Sequence, residues 1–241
     1  MAFEADPWAA ALAVLVAWIL VVFGGLILQF GRGTRLERIV SELNYPLIAA
    51  PVFLLAVAAY TGKWRAFGLQ LDSDSNFSLL IAPAIAIIAL WIFAFRNGVT
   101  WNAALKFAGA NTLLVGFSEE LMFRGVLFYG ALSNFGTIWA AAISAAIFGG
   151  VHLLNGALTG NWTQAAEQAL INVFTGFWLG ALRAKLSTII PLVVIHWLWD
   201  FALFTAGTKK SMSVKSASLS GAVPLACDLV LFLYAIWLVF G

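Results

Sequence analysis

Charge is what this sequence lacks. Lys, Arg, Asp and Glu make up only 10% of its 241 residues, where a soluble domain carries roughly a quarter. With 63% hydrophobic residues and eleven Trp, the deficit excludes an ordinary water-soluble domain and points to lipid as the solvent. Cysteine is nearly absent: Cys227 stands alone, which excludes an internal disulfide and argues against a thiolate metal site. The formal charge of +2 is small and the basic residues are scattered, so no nucleic-acid partner is expected. The opening stretch from Met1 to Pro7 has no basic residue. The apolar run behind it is too long for a signal-peptide core, so it is expected to stay in the mature protein.

A helix needs roughly 20 apolar residues to cross the hydrocarbon core, and uniformly apolar runs of that length read as helices. Eight segments qualify as candidates: Trp8–Phe30, Tyr45–Tyr60, Phe77–Phe95, Trp101–Leu132, Thr137–Leu154, Thr163–Leu182, Ser187–Ala206 and Ala222–Phe240. The second is short and carries Pro46 and Pro51. Polar connectors such as 31–44, 61–76 and 207–221 separate them, without internal repeats or a second domain. The expectation is an all-α polytopic protein, a single integral-membrane domain over 1–241, whose eight or so helices enclose an intramembrane cavity. Loop Lys and Arg set the orientation. Odd-numbered loops hold Arg32, Arg35, Arg38, Arg96, Lys106, Lys209, Lys210 and Lys215, while even-numbered loops hold Lys63, Arg65, Arg183 and Lys185. Both termini are therefore expected outside, with the cavity open toward the cytoplasm. The absence of a long extramembrane domain suits a prokaryotic plasma membrane.

Ionisable groups inside membrane helices cost about 2.5–3.5 kcal/mol each on insertion scales, so a concentration of them asks for a reason. The helix interiors hold Glu119, Glu120, Arg124, His152, His196 and Asp200, with Glu167 and Asp228 outside any cluster. Both histidines of the chain are in that set. Glu120 and Arg124 stand four apart, acid first, the favourable order for a helical ion pair. Glu119 is rotated about 100° from Glu120 and faces elsewhere. A helix-stabilising triad explains the pair but not the second glutamate. Gly149 and Gly150 precede His152 and leave room for a helix, water or a substrate backbone to approach. Alone, His152 fits a packing histidine equally well. His196 and Asp200 share a helix face, which also suits a structural His–Asp pair. Packing explains the three clusters together far less readily than each apart. With eight helices, the fourth runs outward from the cytoplasm while the fifth and seventh run inward, so all three clusters can meet in the cytoplasmic half.

These clusters resemble the motifs of the CPBP family, the CAAX proteases and bacteriocin-processing (Abi) enzymes: Glu-Glu-x-x-x-Arg, Phe-x-x-x-His and His-x-x-x-Asn/Asp. They stand here as Glu119-Glu120-Leu-Met-Phe-Arg124, Phe148-Gly-Gly-Val-His152 and His196-Trp-Leu-Trp-Asp200. Each is weak alone; in this order, on separate hydrophobic helices, the set is specific and covers about 117–200. The resemblance implies a multi-helix fold with a conical cavity and an endopeptidase acting on a membrane-associated or C-terminally lipidated peptide. By position it implies that Glu119 with His152 activates water and that His196 and Asp200 stabilise the oxyanion. Glu120 and Arg124 would support the catalytic helix. The chemistry is coherent, since a carboxylate in apolar surroundings is a stronger base than one in water. Well-studied members carry Asn where this chain has Asp200. An ionised Asp would repel an oxyanion, so Asp200 must be protonated or must orient His196.

Three rival readings remain. A zinc peptidase would use Glu119, His152 and His196 as ligands with an open position, though no His-Glu-x-x-His is present and the resemblance favours chemistry without a resident cofactor. A non-proteolytic scaffold or immunity protein would keep the fold without needing Glu119 and both His. A proton-coupled transporter would use intramembrane carboxylates, yet the expected internal symmetry is missing. Gly176 and Gly180 suit close helix packing, and Trp8, Trp64 and Trp101 suit interfacial anchors. Trp197 and Trp199 flank the site and are read as packing residues. Asp228 has no evident partner.

Overall fold

The structure, a computed structural model, describes residues 2–71, 75–99, 101–207 and 222–241. Every regular element among them is a helix. After a single turn at Ala2–Ala5 come α1 (Pro7–Phe30), α2 (Leu36–Ser41), α3 (Tyr45–Thr61) and α4 (Phe77–Arg96). Next, α5 (Ala103–Glu119) continues through a π-helical stretch, Glu120–Leu127, into α6 (Phe128–Phe135). The remainder comprises α7 (Thr137–Val151), α8 (Leu154–Thr159), α9 (Trp162–Leu186), α10 (Ile190–Gly207) and α11 (Ala222–Phe240).

Local chemistry explains the boundaries. Asp6, Asn44, Asn102 and Asn161 each cap a helix by accepting the backbone N–H three residues on, at 2.9–3.1 Å, as short polar side chains do at N-termini. Pro46 sits in the first turn of α3, where its missing N–H costs nothing, and the helix also continues through Pro51.

Four segments are long and apolar enough to cross a membrane, namely Pro7–Phe30, Phe77–Arg96, Thr137–Thr159 and Ala222–Phe240. Tyr45–Thr61 and Ile190–Ala206 are apolar but shorter. The outer faces carry large apolar side chains, Leu28 at 89% and Leu233 at 65% exposure among them. Patches of that kind are rare on soluble monomers. The interior instead holds Glu120, Arg124, Arg183, His196 and Asp228, each at most 7% exposed. The protein is an integral membrane protein with its polar groups gathered inside.

Small residues set the packing around the site. A Cβ on Gly149 would lie 2.5 Å from the Ala169 carbonyl, and one on Gly176 would lie 2.8 Å from the Ala145 Cα. Together with Gly180 against Ala141, they let α7 and α9 pack backbone to backbone. Gly176 and Gly180 thus serve contact within the chain. Gly116 does the same between α5 and α10, its absent Cβ lying 3.1 Å from the Trp197 nitrogen. That approach carries the end of α5, with Glu119 and Glu120, against the middle of α10, with His196.

Arg183 corrects the loop count above. It lies inside α9, which runs on to Leu186, and is buried. Lys106 likewise stands within α5. Lys209, Lys210 and Lys215 lie outside the described residues.

Candidate active site

The site forms where the π-helical stretch meets α7 and α10. A π stretch is a wider, irregular turn, and here two side chains add donors to its carbonyls, that of Phe123 also accepting from the Phe128 N–H. Ser144 Oγ of α7 donates to the Phe123 carbonyl at 2.7 Å, and Arg183 Nε of α9 donates to the Arg124 carbonyl at 3.0 Å. Arg183 Nη2 also donates to the Ala66 carbonyl at 3.0 Å. The irregular stretch that follows Glu119 is therefore pinned from two helices.

Glu120 and Arg124 form the expected pair, Nη1 to Oε1 at 2.9 Å, with both side chains wholly buried. The same Glu120 oxygen accepts from His196 Nδ1 of α10 at 2.8 Å. Glu120 therefore orients the histidine as well as neutralising Arg124. Sequence spacing carries no trace of this second contact, because 76 residues separate the partners. Arg124 also lies over the Phe148 ring, 4.3 Å from its centroid, a desolvated cation–π contact.

Since a carboxylate only accepts hydrogen bonds, His196 Nδ1 carries the proton and Nε2 faces the other way. There it meets Glu119 Oε2 at 3.6 Å and Asp200 Oδ2 at 3.5 Å. These two carboxylates are partly accessible, their side chains 15% and 26% exposed. His152 closes α7, where its Nδ1 donates to the Phe148 carbonyl at 2.8 Å. That bond leaves Nε2 as the acceptor of a neutral ring. The Phe148 ring stands between the two histidines, its centroid 4.8 Å from His152 and 6.1 Å from His196. Of the two glycines before His152, Gly149 is met by α9, while Gly150 has open space.

Glu119, His152, His196 and Asp200 share the wall of one cavity of about 490 Å³. Its apolar lining includes Val22, Phe23 and Leu26 of α1, Ile39 and Val40 of α2, and Leu47 of α3. Its polar lining includes Asn155, Gln168, Asn172 and Thr175. Glu120 and Arg124 lie behind the wall rather than in it. Trp199 lines the cavity, stacked obliquely on Trp178 with centroids 6.0 Å apart, whereas Trp197 Nε1 donates to the Gly109 carbonyl at 2.9 Å. Ser118 is buried and donates to the Val115 carbonyl at 3.3 Å, so it offers no nucleophile to the cavity.

Two residues left outside the sequence clusters belong to this cavity. Glu167 is exposed and lines it. Asp228 does have partners: Thr175 Oγ1 and Trp178 Nε1 both donate to its Oδ1 at 2.8 Å. Its isolation in the sequence was an effect of distance, since the partners lie 53 and 50 residues away.

Catalytic zinc asks for three convergent protein ligands at about 2.0–2.2 Å with an open fourth position. Among the described residues no three His, Cys, Asp or Glu side chains form a metal-holding group. His196 Nδ1 is engaged by Glu120, which leaves Nε2 as its outward nitrogen, an arrangement common to metal-bound and metal-free histidines.

No curated protein matches the chain. Residues 100–202 match the family described as type II CAAX prenyl endopeptidase Rce1-like. The matched stretch runs from the start of α5 into α10 and so encloses every residue of the three motifs. The match covers this part of the chain and agrees with the resemblance that the three motifs carry.

Proposed function

We propose that the protein is an intramembrane endopeptidase that hydrolyses a membrane-associated or C-terminally lipidated, CAAX-like peptide with water activated by Glu119. The observation that carries this reading is the facing of Glu119, His196 Nε2 and Asp200 at 3.5–3.6 Å on the cavity wall. Glu119 takes a proton from water while the neutral Nε2 of His152 accepts the water's other hydrogen bond. The oxygen adds to the scissile carbonyl carbon, and the carbonyl π electrons move onto its oxygen. His196, held as a cation by Glu120 and Asp200, presents Nε2–H to that oxyanion; one such donor is worth about 3–4 kcal/mol. Collapse of the intermediate breaks the C–N bond, and the Glu119 proton passes to the leaving amine.

Asp200 serves by holding His196, which explains how an acid is tolerated beside an oxyanion. Glu120 and Arg124 set the ring and the helix behind it. The apolar lining that α1, α2 and α3 give the cavity supports a lipid-bearing or strongly apolar substrate. In this reading the eight apolar segments of the sequence all cross the bilayer and the cavity opens to the cytoplasm, as the bias of loop Lys and Arg favours. The membrane is a prokaryotic plasma membrane, and no step requires a resident cofactor.

A scaffold with the same fold has no use for a partly accessible carboxylate facing an oriented imidazole inside a membrane cavity. The test is single-turnover cleavage of lipid-anchored peptides by the full chain in bilayer discs. Glu119→Gln is expected to lower the rate by about 10²–10⁴ while leaving the fold intact. Cleavage at the wild-type rate by that variant removes Glu119 from the chemistry.

A further inference from the structure

Beyond the catalytic groups the cavity has a second polar centre, and it belongs to none of the three motifs. Asp228 of α11 is 1% exposed and lines the cavity. Its Oδ1 is saturated by Thr175 and Trp178, whereas its Oδ2 has no hydrogen-bond partner among the described residues. Two donors on one oxygen fix the carboxylate plane, so the free oxygen points in a defined direction. A buried acceptor left in that state calls for a donor, and an ionised carboxylate is best met by a charged one. Trp178, which donates to Asp228, packs on Trp199, the residue before Asp200. The centre thus stands one tryptophan pair away from the catalytic wall.

The surroundings choose the sign of the ligand. Four carboxylates line the cavity, those of Glu119, Glu167, Asp200 and Asp228, and among the described residues no Lys or Arg does. His196 is the one cation on this lining in the peptidase reading, so the carboxylates prevail. A low-dielectric cleft with an excess of one sign of charge concentrates the opposite sign. An acidic or phosphorylated segment is repelled there.

We infer that Asp228, held by Thr175 and Trp178, is a specificity subsite that receives a basic side chain, lysine or arginine, of the peptide substrate. The inference rests on the peptidase reading for the substrate's class, and it adds the position that selects among peptides. Asp228 is a binding residue in this scheme and takes no part in bond cleavage.

Binding is measured with the full chain in bilayer discs carrying Glu119→Ala, so that no peptide is consumed. The probes are N-palmitoylated, otherwise all-alanine nonapeptides in which lysine, norleucine, glutamine or glutamate is moved along the sequence. At one position lysine is expected to bind about tenfold or more tightly than norleucine or glutamine, the size of one charge-assisted hydrogen bond. Asp228→Asn keeps an Oδ1 for Thr175 and Trp178 but replaces the free oxygen with an NH₂ group, and it is expected to bring that preference to about twofold or less. Should that variant fail to fold, Thr175→Val, which loosens the carboxylate while keeping its charge, is expected to cut the preference by about threefold. Equal binding of lysine and norleucine at every position overturns the inference, as does a lysine preference untouched by these substitutions. Glutamine binding as tightly as lysine also overturns it, because the oxygen then takes a neutral donor. Cleavage of the same peptides by the unsubstituted protein is read separately. Lysine-selective binding without cleavage sinks the peptidase reading and leaves the subsite standing.

Discussion

Glu120→Ala removes one oxygen that serves two partners, Arg124 Nη1 at 2.9 Å and His196 Nδ1 at 2.8 Å. Arg124 has no exposed surface, and its Nε and Nη2 already lack partners among the described residues. Stripping the counter-charge from such a group costs about 3–5 kcal/mol, a large part of a folding free energy of about 5–15 kcal/mol. The Phe148 ring at 4.3 Å remains and retains about 2 kcal/mol of cation attraction when desolvated, which favours the lower end, about 3 kcal/mol. Replacing both members, Glu120→Leu with Arg124→Met, removes the uncompensated charge, and stability is expected to return to within about 1 kcal/mol of the unsubstituted protein. Activity is not expected to return, because His196 Nδ1 has still lost its carboxylate; a loss of about 10–100-fold is typical when the partner that orients a functional histidine is removed. Denaturant titration in mixed micelles gives the first quantity and cleavage of a lipid-anchored peptide gives the second. A double variant that recovers activity along with stability refutes the orienting role of Glu120. One as unstable as Glu120→Ala refutes the charge argument.

Three further experiments test other parts of the account. Gly149→Ala drives a Cβ to 2.5 Å from the Ala169 carbonyl and is expected to cost about 1–3 kcal/mol, whereas Gly150→Ala meets nothing within 4 Å and is expected to be neutral or to stabilise by up to about 1 kcal/mol; thermal unfolding of the two side by side checks the pair. Arg183→Met leaves the Arg124 and Ala66 carbonyls without their donor and is expected to cost about 2–4 kcal/mol, with hydrogen exchange rising along Glu120–Leu127 as the diagnostic readout. Chelation by EDTA or phenanthroline is expected to leave the cleavage rate within about twofold, and a loss restored by added zinc returns the question to the metal ligands Glu119, His152 and His196.

The parts of this site that sequence made visible are those that spacing controls. Glu120 and Arg124 meet because residues four apart share a helix face, and His196 and Asp200 do so for the same reason. The membrane character follows from composition alone. What spacing cannot reach is contact between helices: the bond from His196 to Glu120, the donors on Asp228, and the two-helix support of the π stretch. The segment from Glu120 to Leu127 has ordinary α-helical propensities, so its wider turn reflects tertiary partners such as Ser144 and Arg183 rather than local preference. Arg183 was misread as a loop charge because a basic residue beside an apolar run looks like a helix flank. It is instead a buried donor to the Arg124 and Ala66 carbonyls.

The central claim is that the protein cuts peptides with Glu119 at the centre of the chemistry. It is tested most directly by comparing peptide N- and C-termini in membranes that contain either the unsubstituted protein or Glu119→Ala, at equal abundance and both inserted and folded. New termini that appear only with the unsubstituted protein are the expected result, and they name the substrate at the same time. Identical sets of termini contradict the claim and leave the fold serving as a membrane scaffold.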